Sequence, residues 1–453
     1  MDRIPGGVSF VGRALALALA LLASVPAAAR QDNRIDGITP SAPELAAPGA
    51  FAVGVRTHTA VDPNRVDVLQ TTPGGPTARS DRPLVFEVWY PATLAPGQAP
   101  GGDYRTVARD PAIPVVLHGR AVRDAAPAAG APFPLVIISH GYPGNRLLMS
   151  HLGENLASKG YVVASIDHTD STYPEIKAFA STLYNRALDQ RFAIDEMARL
   201  GVGGSGHPLA GVIDASRTAV IGYSMGGYGV VNLIGGGYRR EAAGFAAAPP
   251  NQLLLDRAAG TPAYDRSRDA RVKAAVAIGP WGMQAGYWDA AGLAGIRTPV
   301  LFVAGSADDV SGYDKGTRAI FEQAVNAPRY LLTFVNANHN AAAPIPAPAE
   351  TYRYSETLKS YPFQHYADPV WDTVRMNNIL QHFVTAWVDL HLKGDTGKAA
   401  YLQVVPEGRD AVWATDREGT PQSAHTYWKG FKRGTAVGLR LEHRVPDALK
   451  TQQ

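Results

Sequence analysis

The chain has 453 residues, of which 46% are hydrophobic and 18% are charged, and its formal net charge is +3. A chain of this length buries a substantial core without cross-links, and its balanced charge lacks the basic stripe of a nucleic-acid-binding protein. The sequence contains no cysteine, which excludes disulfide bonds, a thiol nucleophile and a lipid anchor attached through an N-terminal cysteine.

The first 29 residues have the composition of a secretory signal peptide. Arg3 and Arg13 precede an apolar run over residues 14–23, and the small residues 27–29 follow Pro26. The run is shorter than the roughly 20 apolar residues that a membrane-spanning helix needs. We therefore expect residues 1–29 to be removed on export, leaving a periplasmic or extracellular protein without a stable membrane anchor.

Residues 30–453 are predicted to form a single domain. Residues 31–49 are rich in proline and alanine without a period, which indicates a loose arm. Residues 51–59 and 84–90 alternate between apolar and polar side chains and predict antiparallel strands near a sheet edge. The N-terminal arm and edge-strand region is placed at residues 30–83. Many glycine and proline residues then predict a loop-like stretch over residues 92–134.

Beyond residue 134, short apolar runs alternate with helical patterns. The predicted strands cover residues 135–139, 161–166, 219–221, 272–278, 299–303 and 330–335. The predicted helices cover residues 146–158, 175–200, 225–234, 314–325 and 371–393. This alternation is typical of a mostly parallel central sheet with helices on both faces. Residues 235–271 and 340–369 interrupt it as inserted loops or a lid, and the sequence after residue 400 shows no clear pattern.

The segment from Gly222 to Gly226 reads Gly-Tyr-Ser-Met-Gly and lies directly between a predicted strand and a predicted helix. In the G-x-S-x-G pattern a serine occupies a sharp strand-to-helix turn, where side chains at the glycine positions would collide with the neighbouring strand and helix. The helix N-terminus then faces the negative charge that develops during acyl transfer. Ser224 is therefore the predicted nucleophile, and a glycine-rich turn with an incidental serine is the alternative.

A serine hydroxyl needs a base to accept its proton. Asp308 and Asp309 follow the predicted strand at residues 299–303, and His339 follows the one at residues 330–335. The order along the chain is therefore serine, acid, histidine. The carboxyl ends of parallel strands meet at one edge of a sheet, where ligands bind. We predict His339 as general base and Asp308 as its acid, because Asp308 stands in a Gly-x-x-Asp spacing from Gly305; Asp309 remains the alternative.

The loop after the first buried strand, residues 139–144, has the position from which one backbone N–H donor of an oxyanion hole arises. We assign that donor to Tyr142 and the second to Met225, which follows the nucleophile. His140 lies in the same loop and is predicted to brace it rather than to transfer protons.

Aromatic residues gather near the expected site, and four of them are predicted to bind substrate: Tyr223, Trp281, Tyr287 and Trp288. Such a pocket suits apolar esters, including polyesters, whereas packing of half of them in the core is the alternative. One cluster resembles a metal site, namely Asp167, His168 and Asp170, but it lacks the ligand spacing of a zinc centre. No metal is predicted, and no cofactor, because phosphate-binding and dinucleotide fingerprints are missing.

Several segments resemble the bacterial branch of the α/β hydrolases that is related to dienelactone hydrolase and to the plasma-type platelet-activating-factor acetylhydrolases. They are Val53-Gly-Val-Arg56, Asp62-Pro-Asn-Arg65, Val88-Trp-Tyr-Pro-Ala92, Ile138-Ser-His-Gly141, Leu156-Ala-Ser-Lys-Gly-Tyr161, Asp167-His168, Gly222-Tyr-Ser-Met-Gly-Gly227 and His391-Leu-Lys-Gly394. The resemblance covers about residues 50–395. It implies the α/β-hydrolase fold and carboxylic-ester hydrolysis, and it supports Ser224 and His339.

The sequence departs from this resemblance at the acid. The acetylhydrolases carry theirs one strand earlier, where this chain reads Ile278-Gly-Pro-Trp-Gly282 and has no carboxylate before Asp289. Their phospholipid specificity is therefore not carried over, and the cysteine nucleophile of dienelactone hydrolases is absent. We expect a serine esterase that acts on small-molecule or polymeric esters through an acyl-enzyme intermediate. An amidase or peptidase with the same triad and a catalytically silent binding protein are the alternatives, and the sequence carries no indication of oligomeric state.

Overall fold

A computed structural model describes residues 33–130, 132–265 and 268–447, so the predicted signal peptide lies outside the described residues. The strands are β1 Ala52–Val66, β2 Arg79–Thr93, β3 Gly102–Val107, β4 Pro114–Gly119, β5 Val122–Arg123, β6 Ala126–Pro127, β7 Phe133–Ser139, β8 Val162–Asp167, β9 Ile213–Tyr223, β10 Val272–Ile278, β11 Val300–Gly305, β12 Arg329–Phe334 and β13 Leu439–Arg444. The α-helices are α1 Ser150–Ala157, α2 Phe179–Gly201, α3 Met225–Leu233, α4 Pro262–Asp265, α5 Ala290–Leu293, α6 Arg318–Gln323 and α7 Thr373–Leu392.

The main sheet has the strand order β13-β12-β11-β10-β9-β7-β8-β2-β1-β5, and β6 pairs with the end of β2. Strands β7 to β12 run parallel to one another. Strand β2 is antiparallel to β8, and β1 is antiparallel to β2. The predicted mostly parallel sheet with antiparallel N-terminal strands is confirmed.

The parallel strands are apolar on both faces because helices cover both sides of the sheet. In β7, Val136 and Ile138 belong to one buried cluster, whereas Leu135 and Ile137 belong to another. Helices α1 and α7 pack in the first cluster, and α2, α3 and α6 pack in the second. Since successive side chains of a strand point to opposite faces, the two clusters are the two cores of a three-layer fold.

The stretch predicted as loop-like, residues 92–134, instead contains four strands, of which β3 and β4 form a separate antiparallel pair. In β4, buried residues alternate with less buried ones, for example at Val115 and Leu117. This alternation is present in the sequence but is short and flanked by glycine and proline. Strand β13 lies in the C-terminal region without a clear pattern and pairs antiparallel with β12.

The predicted loose arm, residues 31–49, is packed against the domain from residue 33 onward. The backbone N–H of His118 donates to the Asn33 carbonyl at 2.9 Å, and the Leu45 N–H donates to Nδ1 of His382 at 3.1 Å. Ala46 is fully buried. The segment pairs its backbone with distant elements, so its composition alone gave no sign of order.

Both predicted insertions consist mainly of turns and short 3₁₀ helices. The first, residues 235–271, contains Arg240–Gly244 and Pro250–Arg257, and it packs on α3 through Tyr238, whose hydroxyl lies 2.5 Å from that of Tyr228. The second, residues 340–369, contains Ala349–Tyr352 and Pro362–His365. None of the helices in the described ranges is long and apolar enough to cross a membrane.

Candidate active site

Ser224 alone forms the turn between β9, which ends at Tyr223, and α3, which begins at Met225. Its φ is +54° and its ψ is −114°, a conformation that is strained for any residue with a side chain. The Ser224 N–H donates to the Ile278 carbonyl at 2.8 Å, and its carbonyl accepts from the Tyr228 N–H at 2.9 Å. Contacts to β10 and α3 therefore hold the strained turn in place.

The two glycines of the motif have steric causes in this turn. A Cβ atom at Gly222 would overlap the carbonyl of Gly226, and a Cβ atom at Gly226 would overlap the carbonyl of Ser139 at the end of β7. These overlaps involve backbone atoms, which cannot move aside without displacing a strand or a helix. The G-x-S-x-G pattern at this place is therefore a requirement of packing.

Asp308 and His339 lie on the loops after β11 and β12 and contact each other. Nδ1 of His339 is 2.9 Å from Oδ2 and 3.1 Å from Oδ1 of Asp308. Oδ1 also accepts the backbone N–H groups of Val310 at 2.9 Å and Ser311 at 2.8 Å. The carboxylate is thus fixed by its own loop and directed at the imidazole.

The environment keeps Asp308 ionised. Burial alone would raise the pKa of Asp308, but the hydrogen bond and charge of His339 and the two backbone donors outweigh it and lower that pKa below its ordinary value. A carboxylate at this place assigns the proton to Nδ1 and leaves Nε2 as the acceptor. Asp309 is exposed, and among the described contacts it makes no hydrogen bond to His339. The geometry therefore favours Asp308 over Asp309 as the partner of the imidazole.

Ser224 and His339 both line a cleft of about 570 Å³, together with Tyr142 and Tyr223. The Tyr223 ring packs on the imidazole, with ring centroids 5.2 Å apart. One wall comes from the second insertion, through Phe363, Gln364, His365, Ala367, Asp368 and Pro369. Among the described residues, none of the first insertion lines this cleft.

The segments that carry the predicted oxyanion donors flank Ser224. A Cβ atom at Gly141 would lie 3.3 Å from the Ser224 Cβ, so the loop after β7 passes directly beside the serine. Tyr142 follows in this loop and lines the cleft. Met225 is the first residue of α3, where backbone N–H groups have no partner within the helix.

Two of the predicted substrate-binding aromatics lie in the core instead of the cleft. Tyr287 and Trp288 are each 2% exposed, and Nε1 of Trp288 donates to Asn232 on α3 at 3.0 Å. Trp281 is half-buried and packs on Tyr287, with ring centroids 5.5 Å apart. The segment after β10 folds back over α3, so proximity to a strand end did not place these rings at the cleft, and only Tyr223 of the four lines it.

His140 has the contacts of a brace. Its Nδ1 donates to the carbonyl of Gly141 at 2.7 Å, and its Nε2 accepts the backbone N–H of His168 at 3.2 Å. Burial and the nearby charge of Arg186 lower the pKa of His140 well below its ordinary value, so the ring is neutral. Both ring nitrogens are engaged in holding the loop.

The carboxylates of the cluster that resembles a metal site are bound to arginines. Asp167 pairs with Arg146 at 2.5 Å, and Asp170 pairs with Arg82 at 3.0 Å. No group of three or more histidine, aspartate or glutamate side chains with the geometry to hold a metal occurs within residues 33–130, 132–265 and 268–447. These ion pairs account for the cluster.

Two residues of the cleft were missed by sequence reasoning, and one of them joins the cleft wall to the segment of Tyr223. Asn340 accepts the hydroxyl of Tyr223 at 3.0 Å and donates to the carbonyls of Gln364 at 2.8 Å and Ala367 at 2.7 Å. Arg109, from the turn between β3 and β4, also lines the cleft. The position of Asn340 directly after His339 was the one available signal, and nothing in the sequence pointed to Arg109.

Parts of this chain are similar in sequence to known proteins. A family model described as PET hydrolase-like matches residues 118–249. Cutinase est2 from Thermobifida alba is 39% identical over 98 residues, which are 22% of this chain and 29% of that protein. A platelet-activating factor acetylhydrolase from Cavia porcellus is 29% identical over 141 residues, covering 23% of this chain and 32% of that protein. The chain thus spans about a third of the length of these relatives.

The solved structure of a ferulic acid esterase from Streptomyces cinnamoneus shares the fold. It aligns with a TM-score of 0.53 and 23% sequence identity over 85% of this chain and 98% of that chain. This likeness, together with the serine turn that follows β9, shows the α/β-hydrolase fold that the sequence predicts.

Proposed function

We propose that this protein is a serine hydrolase that cleaves carboxylic esters, with Ser224 as nucleophile, His339 as general base and Asp308 as the residue that orients the base. One observation carries this proposal: a serine with a strained backbone and an imidazole paired with an aspartate line the same cleft. Ester substrates are favoured over other acyl compounds because several relatives with matching segments are cutinases.

The reaction begins when Nε2 of His339 takes the proton of the Ser224 hydroxyl as Oγ attacks the ester carbonyl. The resulting oxyanion accepts hydrogen bonds from the backbone N–H groups of Tyr142 and Met225, each contributing about 3 kcal/mol to transition-state stabilisation. His339 then delivers its proton to the departing alkoxide, which leaves as an alcohol. An acyl group remains on Ser224.

Deacylation repeats these steps with water. His339 takes a proton from the water as its oxygen attacks the acyl carbonyl, and the same two backbone donors hold the second oxyanion. The Ser224 oxygen leaves and regains its proton from His339, while the product is a carboxylic acid. Asp308 stays ionised throughout and stabilises the imidazolium.

An assay with matched substrates tests this proposal. We expect the purified protein to hydrolyse p-nitrophenyl butyrate with a kcat/KM about 100-fold above that for the corresponding anilide, because the poorer amine leaving group needs stabilisation that an ester-specific site does not supply. Initial rates of p-nitrophenol and p-nitroaniline release measure the ratio. Equal rates on both substrates would favour an amidase.

The cleft wall continues into an exposed aromatic surface, which we call the tyrosine strip and define as Tyr352, Tyr354 and Tyr361. These side chains are 49%, 47% and 48% exposed. The Tyr352 ring lies 4.7 Å from that of Phe363, which lines the cleft. Exposed apolar surface beside a cleft is typical of a binding site. We propose that the strip contacts an apolar polyester chain whose scissile ester lies in the cleft.

Replacing all three residues of the tyrosine strip with serine is expected to reduce product release from an insoluble polyester film about tenfold. The kcat/KM for a soluble aryl ester is expected to stay within about twofold of the wild-type value, because Ser224 and its partners are unchanged. Product release is measured by chromatography. Trp413→Ser removes an aromatic side chain that is 36% exposed and does not line the cleft, so it serves as control. Equal losses on film and soluble ester would contradict the role of the strip.

We further propose that the protein acts outside the cytoplasm, in the periplasm or the extracellular space. Residues 1–29 support this location through their basic start, short apolar run and small residues. An insoluble polymer is accessible only to an exported enzyme, so this location agrees with the proposed substrate.

A further inference from the structure

Helix α2 carries a buried arginine beside the loop over residues 139–144, which holds the predicted donor Tyr142 and which we call the oxyanion loop. Arg186 is 1% exposed, and it donates to the carbonyl of His140 at 2.6 Å and to the Ser171 hydroxyl at 2.8 Å. In the described part of the chain it makes no hydrogen bond to a carboxylate. Burial lowers the pKa of Arg186 to about 9, so it stays charged at neutral pH. A buried cation is costly, and this one is directed at the backbone two residues before Tyr142.

One helical turn further along α2, a buried glutamine contacts the start of α3, which carries the second predicted donor, Met225. Gln190 is fully buried, and its Nε2 donates to the carbonyl of Gly226, the residue after Met225, at 2.9 Å. Helices α2 and α3 meet at Gly229 of α3, where a Cβ atom would lie 2.5 Å from Nε2 of Gln190 and 2.7 Å from Cγ of Arg186. Residues four apart share a helix face. One face of α2 therefore contacts both the oxyanion loop and the start of α3.

Asp189 links the same helix to the base of the oxyanion loop. It accepts from Nε of Arg82 at 2.9 Å and from Nδ1 of His168 at 3.0 Å. With its Nδ1 proton engaged, His168 uses Nε2 to accept the hydroxyl of Ser139 at 2.8 Å, where β7 ends and the loop begins. Arg82 and the other basic groups outweigh the effect of burial and lower the pKa of Asp189, which is therefore ionised.

We infer that Arg186, Asp189 and Gln190 form a clamp, the α2 clamp, that sets the spacing between the two backbone donors at Tyr142 and Met225. This inference rests on the proposed function. An oxyanion hole works only when both donors lie about 2.7–3.1 Å from the charged oxygen, and they reside on separate segments, a loop and a helix start. The clamp residues act through the backbone and, among the described residues, do not line the cleft, so they are positioning residues.

Gln190→Met tests the clamp, because it keeps the side-chain length and removes the donor to Gly226. We expect kcat for a soluble ester to fall about tenfold or more, while KM stays within about twofold, since the oxyanion forms only after substrate has bound. A trifluoromethyl ketone, which forms a tetrahedral adduct with the serine, is expected to bind more weakly by the same factor. Melting temperature is measured in parallel.

Gln381→Met on α7 is the matched control. Gln381 is 2% exposed and also donates to a backbone carbonyl, that of His151 at 3.3 Å, and it does not line the cleft. We expect a similar loss of stability with kcat and inhibitor affinity unchanged. Arg186→Lys retains the charge and one donor, so it is expected to fall between wild type and Gln190→Met in kcat.

The clamp is overturned if Gln190→Met keeps the wild-type kcat and inhibitor affinity, or if Gln381→Met loses as much. It is also overturned if KM rises while kcat stays constant, which would indicate an effect on the cleft itself. The wild-type enzyme in the same assay reports separately on the proposed function. If the wild-type enzyme fails to hydrolyse esters, both proposals are wrong. If the wild type is active and Gln190→Met has the same kcat, only the clamp is wrong.

Discussion

Replacing Ser224 with alanine is expected to lower kcat for ester hydrolysis about 10⁶-fold and to abolish covalent labelling by a fluorophosphonate. The variant loses the oxygen that forms the acyl-enzyme and keeps the backbone donors around it. Alanine carries the same Cβ atom at the strained φ of +54°, so the fold is expected to persist. Intact-mass measurement of the labelled protein and initial rates on an aryl ester check both parts.

Ser216→Ala provides the control for this result. Ser216 lies on the same strand as the nucleophile turn but is exposed and remote from the cleft. We expect this variant to be labelled stoichiometrically and to retain its activity. Continued labelling of the Ser224→Ala variant at another serine, with activity preserved, would refute the assignment of the nucleophile.

Replacing Asp308 with asparagine is expected to lower kcat about 10⁴-fold with little change in structure. The backbone N–H groups of Val310 and Ser311 both donate to Oδ1, so they select the oxygen of the new amide. Its NH₂ group then faces Nδ1 of His339 and donates to it. The imidazole is forced to carry its proton on Nε2, where it can no longer accept the proton of the serine.

Asp309→Asn distinguishes the two neighbouring acids. Asp309 lines the cleft rim and is exposed, so its charge is screened by solvent. We expect its neutralisation to change kcat less than about threefold. Steady-state kinetics of both variants, with circular dichroism to verify folding, decide between them; a larger loss for Asp309→Asn would reverse the assignment of the acid.

The parallel sheet could be predicted because its strands are continuous apolar runs, which local sequence reveals. The predicted range of residues 272–278 coincides with β10. The positions of Ser224, Asp308 and His339 could be predicted for a related reason. Each lies at or shortly after the end of a parallel strand, so the chain order alone brings them to one edge of the sheet.

What could not be predicted depends on contacts between distant parts of the chain. Strand β13 is defined by its pairing with β12, and Arg109 reaches the cleft only because the β3–β4 pair packs beside it. The buried polar face of α2 could not be predicted from the sequence either. A helical pattern distinguishes polar from apolar faces, but it does not show that Arg186 and Gln190 face a neighbouring backbone instead of water.

The place of the acid has a spatial explanation. Gly279 follows β10 with a φ of +48°, and a Cβ atom there would lie 3.3 Å from both Oδ2 of Asp308 and Nδ1 of His339. This is the strand end where the resemblance to acetylhydrolases places their acid. The two strand ends therefore reach the same imidazole, and a side chain at Gly279 would press against the Asp308–His339 pair.

Under the proposed function, bond cleavage and substrate choice depend on different stretches of this polypeptide. Ser224, Asp308 and His339 lie at or near strand ends, whereas one wall of the cleft belongs to a segment of turns that Asn340 and Asp368 tie to the loop of His339. Exchange of that segment is therefore expected to change the range of esters accepted and to leave the reaction steps unchanged.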